Sequence, residues 1–301
     1  MKSFSHLTFA VLVLLTCAQF TLAKNAQTKP PLTYSTFKTV DVPNATATYV
    51  YGINNKNEVV GTYSGGDCSQ ISNQAACGFT YKNGVYTTVA CELENETEFF
   101  GINNKGEVVG TYSFFGGVSG FIWEGNESCS PIADPSGAAT SEAWDVNDSG
   151  NIVGFYTDTA QNFDGFLYNN ANGAYTTIDC PGAVSTRAYG IRNDGIIVGD
   201  YIATAGGPFN GFAYVSGKCI TVDYPGSVWS SAKAINKNTR ISGWYTDSAN
   251  AFHGFVEQGG VFTTVDVPGA SNTLLFHLND QGYIGGYFTD TLGVHGVVAI
   301  P

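Results

Sequence analysis

The sequence predicts an all-β chain, a six-bladed β-propeller of four-stranded blades whose ring is closed by the N-terminal strand. Three observations carry this expectation: a composition of turn and aromatic residues, a segment repeated six times, and a repeat array with one outer strand to spare at its start and one lacking at its end. The 301 residues include 37 Gly, 17 Tyr and 20 Phe, while charged residues are only 13%. That balance suits short aromatic strands joined by turns and argues against helical bundles and coiled coils. Hydrophobic residues at 43% are enough for a sizeable core.

The repeat is plain. YGINNKNEVVGTY (51–63) returns as FGINNKGEVVGTY (100–112), WDVNDSGNIVGFY (144–156), YGIRNDGIIVGDY (189–201), AINKNTRISGWY (234–245) and FHLNDQGYIGGYF (276–288). Its glycine column falls at Gly61, Gly110, Gly154, Gly199, Gly243 and Gly286. Each unit reads as four strands. The first ends in Gly-Ile-Asn and is joined to the second by an Asn-x-x-Gly hairpin. The third is Gly-Phe-x-Tyr, and the fourth is Tyr-Thr-Thr-Val-Asp, reached through short turns such as Lys82-Asn83-Gly84. The link from a fourth strand to the next first strand is long enough to cross from the outside of one blade to the inside of the next. A copy of the fourth strand, Phe37–Val42, precedes every first strand, and the chain ends just after the last third strand. Pairing these two loose ends protects an edge that an open sheet would expose.

The repeated Gly-Ile-Asn-x-x-Gly-x-Val-Val-Gly, with HGF at 253–255, resembles the HAF-type extracellular repeat proteins of bacteria over essentially all of 34–301. This chain departs in having Gly where that name implies Ala, and keeps the histidine only at His253 and His295. The resemblance implies an exported repeat protein and supplies no substrate.

Residues 1–23 read as a secretory signal, with Lys2, an apolar run from Leu7 to Ala18 and a Thr21-Leu22-Ala23 cleavage site; 24–33 read as a linker and 34–301 as the propeller. The alternative is a lipoprotein signal ending at Cys17, where Thr16 is an awkward neighbour. No later run is apolar enough to span a membrane as a helix. The expected location is secreted, periplasmic or cell-surface, and the six remaining cysteines fit an oxidising compartment. Cys68 and Cys77 bracket a polar insertion and are expected to bridge. Cys91 and Cys180 share one column, Cys129 and Cys219 another, with matching spacings of 38 and 39 residues. The spacing suggests two equivalent bridges, whereas simple blade geometry sets the columns too far apart, and the pairing stays open.

Candidate chemistry lies where the repeat lapses. Asp145 and His277 replace a glycine column, Arg192 replaces an asparagine, and Lys233 replaces an aromatic. All four lie near inner-strand ends, so Asp145, Arg192, Lys233 and His277 are the candidate ligand-binding set; the competing expectation is buried ion pairs between blades. Asp158, Asp247 and Asp290 sit in equivalent loops, the last two beside His253 and His295, and offer a candidate Ca²⁺ site with few ligands per loop. The recurring Asp41, Asp179, Asp223 and Asp266 are expected to cap turns before a proline, and the recurring asparagines to shape hairpins. Phe114, Phe115, Phe163, Phe209, Trp229 and Phe252 are either stacking faces for sugar rings or caps over the blade ends.

A net charge of −12 excludes nucleic acid as a partner. No nucleophile elbow, zinc helix, P-loop or dinucleotide motif is present, and no cofactor is expected. The expected function is that of an exported, monomeric, non-catalytic binding or surface module for extracellular glycan. The alternatives are a secreted glycan-cleaving enzyme, which would need a carboxylate partner for Asp145, and a scaffold for an envelope protein.

Overall fold

A computed structural model describes residues 31–71, 75–91, 96–114, 116–125, 128–132 and 140–301. The signal segment, Cys17 and Phe115 lie outside the described residues. The fold is all-β, in antiparallel four-stranded meanders. β1 (Thr36–Thr39) is followed by β2 (Ala45–Ile53), β3 (Val59–Gly65), β4 (Cys77–Lys82) and β5 (Val85–Val89). The second meander is β6 (Glu96–Ile102), β7 (Val108–Phe114), β8 (Gly117–Trp123) and β9 (Cys129–Pro131). The third is β10 (Ser141–Val146), β11 (Asn151–Thr157), β12 (Phe163–Asn169) and β13 (Ala174–Ile178). The fourth is β14 (Ser185–Ile191), β15 (Ile197–Ile202), β16 (Phe209–Val215) and β17 (Lys218–Thr221). The fifth is β18 (Trp229–Ile235), β19 (Arg240–Thr246), β20 (Phe252–Gln258) and β21 (Val261–Thr264). The chain ends with β22 (Asn272–Leu278), β23 (Ile284–Thr289) and β24 (Val294–Ile300).

Four meanders form separate four-stranded sheets, and the first and last merge into one sheet of eight strands that includes β1. The merger rests on a single parallel bridge, Ala47 to Val294. Parallel bridges of the same kind, Ala76 to Glu96 and Val118 to Thr140, join neighbouring meanders elsewhere. β1 itself pairs antiparallel with β24, from Thr36 opposite Ile300 to Thr39 opposite Val297.

The register explains the glycine column. Each inner strand carries a bulge, as between Val50 and Gly52 or Phe99 and Gly101, just before its turn. The backbone there closes on the second strand so tightly that a Cβ on Gly61 or Gly110 would stand 1.9 or 1.8 Å from the carbonyl oxygen of Tyr49 or Glu98. Only glycine fits. The cores lie between neighbouring meanders, where Val60, Phe99 and Phe121, or Val153, Ala188 and Phe212, are fully buried together.

Cys68 and Cys77 are bonded as expected. Cys91 pairs with Cys129 and Cys180 with Cys219, with Cα–Cα distances of 5.7 and 5.5 Å. The geometric objection to these pairs fails because Cys91 and Cys180 stand beyond β5 and β13, in links that turn inward toward the next meander. There each meets the outermost strand of the sheet it is about to enter. Closing loops of 38 and 39 residues restricts the unfolded chain by roughly 4 kcal/mol apiece in the chain-entropy account. Reduction of the three bridges is therefore expected to lower the melting temperature by well over 10 °C, and replacing Cys91 and Cys129 with Ser should account for a large part of it. Calorimetry with and without reductant checks this.

Candidate functional site

The turn after each inner strand is built around one side chain. Asn54 Oδ1 accepts the backbone N–H groups of Lys56 and Glu58, each at 3.0 Å, which closes its own hairpin. The same contact recurs at Asn103, Asn147, Asn236 and Asn279. The left-handed φ that the hairpin needs falls three residues later, at Asn57, Gly106, Gly150, Gly195, Thr239 and Gly282. What the sequence does not reveal is the use of the other amide atom. Asn54 Nδ2 donates to the carbonyl of Asn103, Asn103 to that of Asn147, Asn147 to that of Arg192, Asn236 to that of Asn279, and Asn279 back to that of Asn54. Arg192 supplies the remaining link with a different group: Nη1 donates to Thr239 Oγ1 at 2.8 Å, while Nε and Nη2 grip Asp194.

These turns enclose a cavity of about 140 Å³, with Ile53, Ile102, Val146, Ile191, Ile235 and Leu278 beneath and amide and carboxylate side chains around it. Three of the four candidate residues line it: Asp145, Arg192 and His277. Asp145 is 3% exposed. Its Oδ1 accepts the Val146 N–H and His277 Nε2, at 2.8 and 3.1 Å, and its Oδ2 accepts the Ile191 N–H at 2.9 Å. His277 Nδ1 donates to the Ile53 carbonyl at 2.8 Å. With acceptors on both ring nitrogens, the imidazole carries both protons. Burial alone lowers its pKa, but the Asp145 carboxylate and the Ile53 carbonyl raise it overall.

Lys233 does not reach the cavity. It occupies the bulge position held elsewhere by Tyr51, Phe100, Trp144, Tyr189 and Phe276, and these side chains touch one another in sequence: Tyr51–Phe100 5.2 Å, Phe100–Trp144 4.1 Å, Trp144–Tyr189 4.7 Å and Phe276–Tyr51 4.9 Å. Lys233 Nζ lies 3.1 Å from the Tyr189 ring centroid and within 6 Å of Trp144, Trp244 and Phe276. Burial pushes its ammonium well below the usual lysine range, with Asp200 at 3.8 Å opposing. Lys233 therefore closes an aromatic plug under the cavity and is shielded from a ligand there.

The candidate cation residues are not brought together. Asp158, Asp247 and Asp290 stand in the turns of three different meanders, and each spends Oδ1 on the N–H groups of its own turn. Among the described residues no cluster of three or more His, Cys, Asp or Glu side chains is arranged to hold a metal. The expected His–Asp pairs do form, His253 with Asp247 and His295 with Asp290, both at 3.5 Å. Shorter contacts of 2.7 Å join the same histidines to Asp266 and Asp41. These outer-strand aspartates, with Asp223, are not turn caps: each accepts the N–H of a third-strand glycine, Gly254, Gly296 or Gly211. Of the loop aromatics, Phe163, Phe209 and Phe252 pack on Phe155, Trp229 and Trp244, while Trp229 is 40% and Phe114 39% exposed.

Sequence reasoning missed a second group, two residues before the aromatic plug. Glu98, Glu142 and Arg187 occupy equivalent places in β6, β10 and β14, opposite Thr111, Phe155 and Asp200. Burial, then the neighbouring Glu142 and Glu96 carboxylates, push Glu98 up to about 7. Glu142 is also raised by burial, against a 2.8 Å bond from Trp144 Nε1 and the charges of Arg187 and Lys233. The signal lies in the repeat two residues upstream of the aromatic column, where Glu98, Glu142 and Arg187 stand in line with Tyr49, Ser231 and Leu274.

No protein-family model matches the chain, and no curated protein matches it. Solved structures do. AofleA from Arthrobotrys oligospora aligns over 86% of this chain and 84% of its own, at 13% identity and a TM-score of 0.56. The fucose-specific lectin of Aleuria aurantia aligns over 86% and 98%, at 11% identity and 0.52. TolB from Acinetobacter baumannii aligns over 83% and 63%, at 9% identity and 0.51. These are β-propeller proteins, and at such identities the likeness is one of fold.

Glu98 and His277 both contribute to the pH dependence in the same direction. Glu98 folded titrates near 7, above its unfolded value, so the folded state holds the extra proton between about 4.5 and 7 and loses stability as pH rises through that window. His277, also raised, contributes below its unfolded value near 6.5 and loses its contribution as pH climbs past its folded value. The melting temperature is expected to fall from pH 5 to pH 8, and Glu98→Gln should flatten the lower half of that slope, which a thermal melt series reads directly.

Proposed function

We propose that this chain is an exported six-bladed β-propeller that binds an extracellular glycan without cleaving it, in the cavity among the asparagine turns. The observation that carries the reading is the cavity itself: an apolar floor under a rim of amides and carboxylates suits a sugar, whose C–H face sits on the floor while its hydroxyls exchange hydrogen bonds with the rim. Three disulfides belong to an oxidising, extracytoplasmic setting. Among the described residues no helix is long and apolar enough to cross a membrane.

The blade count rests on the six inner strands whose turns line one cavity. Closure by β1 is supported by its use of the same bonds as an outer strand elsewhere. Val40 N–H donates to the Gly296 carbonyl as Val265 N–H donates to that of Gly254. Asp41 takes the Gly296 N–H and His295 as Asp266 takes the Gly254 N–H and His253. These shared bonds support reading β1, the first strand among the described residues, as the outer strand of the last blade. Removing residues 34–43 is expected to lower the melting temperature of the whole domain in a single transition; an unchanged melting temperature would overturn closure.

Binding without cleavage is supported by how the carboxylates lining the cavity are used. Asp145 commits both oxygens to backbone N–H groups and His277, Asp148 commits both to Asn104 and Asn193, and Asp280 commits both to the Lys237 N–H and Asn55. The test is a thermal-shift panel of soluble polysaccharides, followed by a reducing-end assay on any that binds. The combined substitution Asp145→Asn, Arg192→Gln, His277→Gln is expected to weaken binding at least tenfold, about 1.4 kcal/mol. Unaltered binding by that variant would move the contact out of the cavity. New reducing ends would make the protein an enzyme, and binding to an envelope protein with no glycan response would make it a scaffold.

A further inference from the structure

In the proposed ring the inner strands surround a channel, and its end away from the asparagine turns holds charged side chains that the cavity does not use. Glu98, Glu142 and Arg187 each precede the asparagine-turn position by five residues, about 16 Å along a strand. Arg187 is held rigidly. Its Nε donates to Asp200 Oδ1 at 2.8 Å, and its guanidinium lies over Phe209 at 4.2 Å and Phe163 at 5.6 Å. Asp200 is fully buried and does not need the rest of Arg187, because its Oδ2 takes the Ser231 hydroxyl at 2.6 Å and faces Lys233 Nζ. Among the described residues the two Nη groups of Arg187 donate no hydrogen bond, and the side chain remains 16% exposed.

The outcome is a guanidinium fixed among the rings of Phe155, Phe163, Tyr189 and Phe209, partly exposed and with its two Nη groups left to receive a carboxylate by two parallel bonds. Phe209 extends from it to the exposed Trp229, with ring centroids 5.4 Å apart and planes 72° to each other. That aromatic face selects for a carboxylate borne on a ring with an apolar side. We infer that this end of the channel is a binding site for a uronic acid residue of an acidic glycan, its carboxylate on the Nη edge of Arg187 and its ring against Phe209 and Trp229.

Of the neighbouring carboxyls, Glu142 accepts Trp144 Nε1 at 2.8 Å, and burial raises its pKa against the charge of Arg187. Glu98 has no cation within ion-pair reach; it faces Glu96 on its own strand, Thr111 of β7, Glu142 of β10 and Tyr51 of β2. Near neutral pH it is partly protonated, and a protonated carboxyl donates to an incoming carboxylate instead of repelling it. Binding therefore strengthens as the pH falls from 8 to 6.

The inference rests on the glycan reading proposed above and adds a second contact to it. It is tested by titration calorimetry with tetragalacturonate, a neutral tetrasaccharide of equal length, and acetate. Tetragalacturonate is expected to bind at least tenfold more tightly than either, and more weakly in high salt. Arg187→Lys, which keeps the charge and loses the fork, should weaken it at least tenfold with the neutral sugar unaffected. Should that variant fail to fold, Phe209→Ala leaves every ion pair in place and should still cost several-fold. Equal affinity for the acidic and neutral sugars overturns the inference and leaves the glycan reading standing. Acetate matching tetragalacturonate would also overturn it, by reducing the site to a general carboxylate trap. Absence of binding by either sugar brings down both readings.

Discussion

One amide does two jobs on which the rest of the molecule depends. At five of the six inner turns the asparagine oxygen holds its own hairpin shut and the nitrogen holds the next sheet in place, while Arg192 makes the link at the other. A hairpin alone has no reason to know where the next sheet lies, and a bond between sheets alone has no reason to fix a turn. Joining both to one planar group makes the local and long-range geometry the same variable, so neither can relax without the other. The turn atoms are buried, where an unmade hydrogen bond costs about 1–3 kcal/mol. Small individual terms thus become cooperative around the channel.

The periodic part of the structure was open to sequence reading because repetition multiplies a weak signal. A single Asn-x-x-Gly is an ordinary turn; six turns of that kind, three of them with the full pattern, in step with six strand glycines are an architecture. The glycine column could be seen before its cause, which is the approach of a bulged inner strand to within 2 Å of where a Cβ would stand. The lapses at Asp145 and His277 were legible for the same reason, and the two do meet. Lys233 was legible as a lapse but not in depth, because the bulge that turns its position into the aromatic plug leaves no mark in a pattern of letters. The cysteine pairs were legible in spacing and obscured by a picture of straight outer strands. The second use of each asparagine was not legible at all, since a bond to a carbonyl 44 or 49 residues away is set by the placement of the next sheet.

Charge is distributed along the channel in a way the repeat alone would not produce. An unbroken repeat would put glycine where Asp145 and His277 stand and an aromatic where Lys233 stands, giving an uncharged bore. Instead there is an ion pair at one level, an ammonium inside an aromatic cage at the next, and a guanidinium with two carboxyls beyond it. Buried ion pairs add little net stability, because desolvation offsets much of their attraction.

The two ends differ in how far their charges are spent. At the asparagine end, Asp145 has three donors and His277 two acceptors, so a ligand there finds shape and amide chemistry in a site already at electrostatic rest. At the other end Asp200 is satisfied three times over, and the surplus falls to Arg187, whose Nη groups donate no hydrogen bond among the described residues and lie on the same side as Glu98, a carboxyl that burial pushes up to about 7. A site at rest favours neutral, hydroxyl-rich partners and responds little to salt. A site with open donors favours anions and responds strongly to both salt and pH. The aromatic plug of Tyr51, Phe100, Trp144, Tyr189, Lys233 and Phe276 lies between them. It keeps the two chemistries apart, so a single chain can present a neutral face and an anion-seeking face without either neutralising the other.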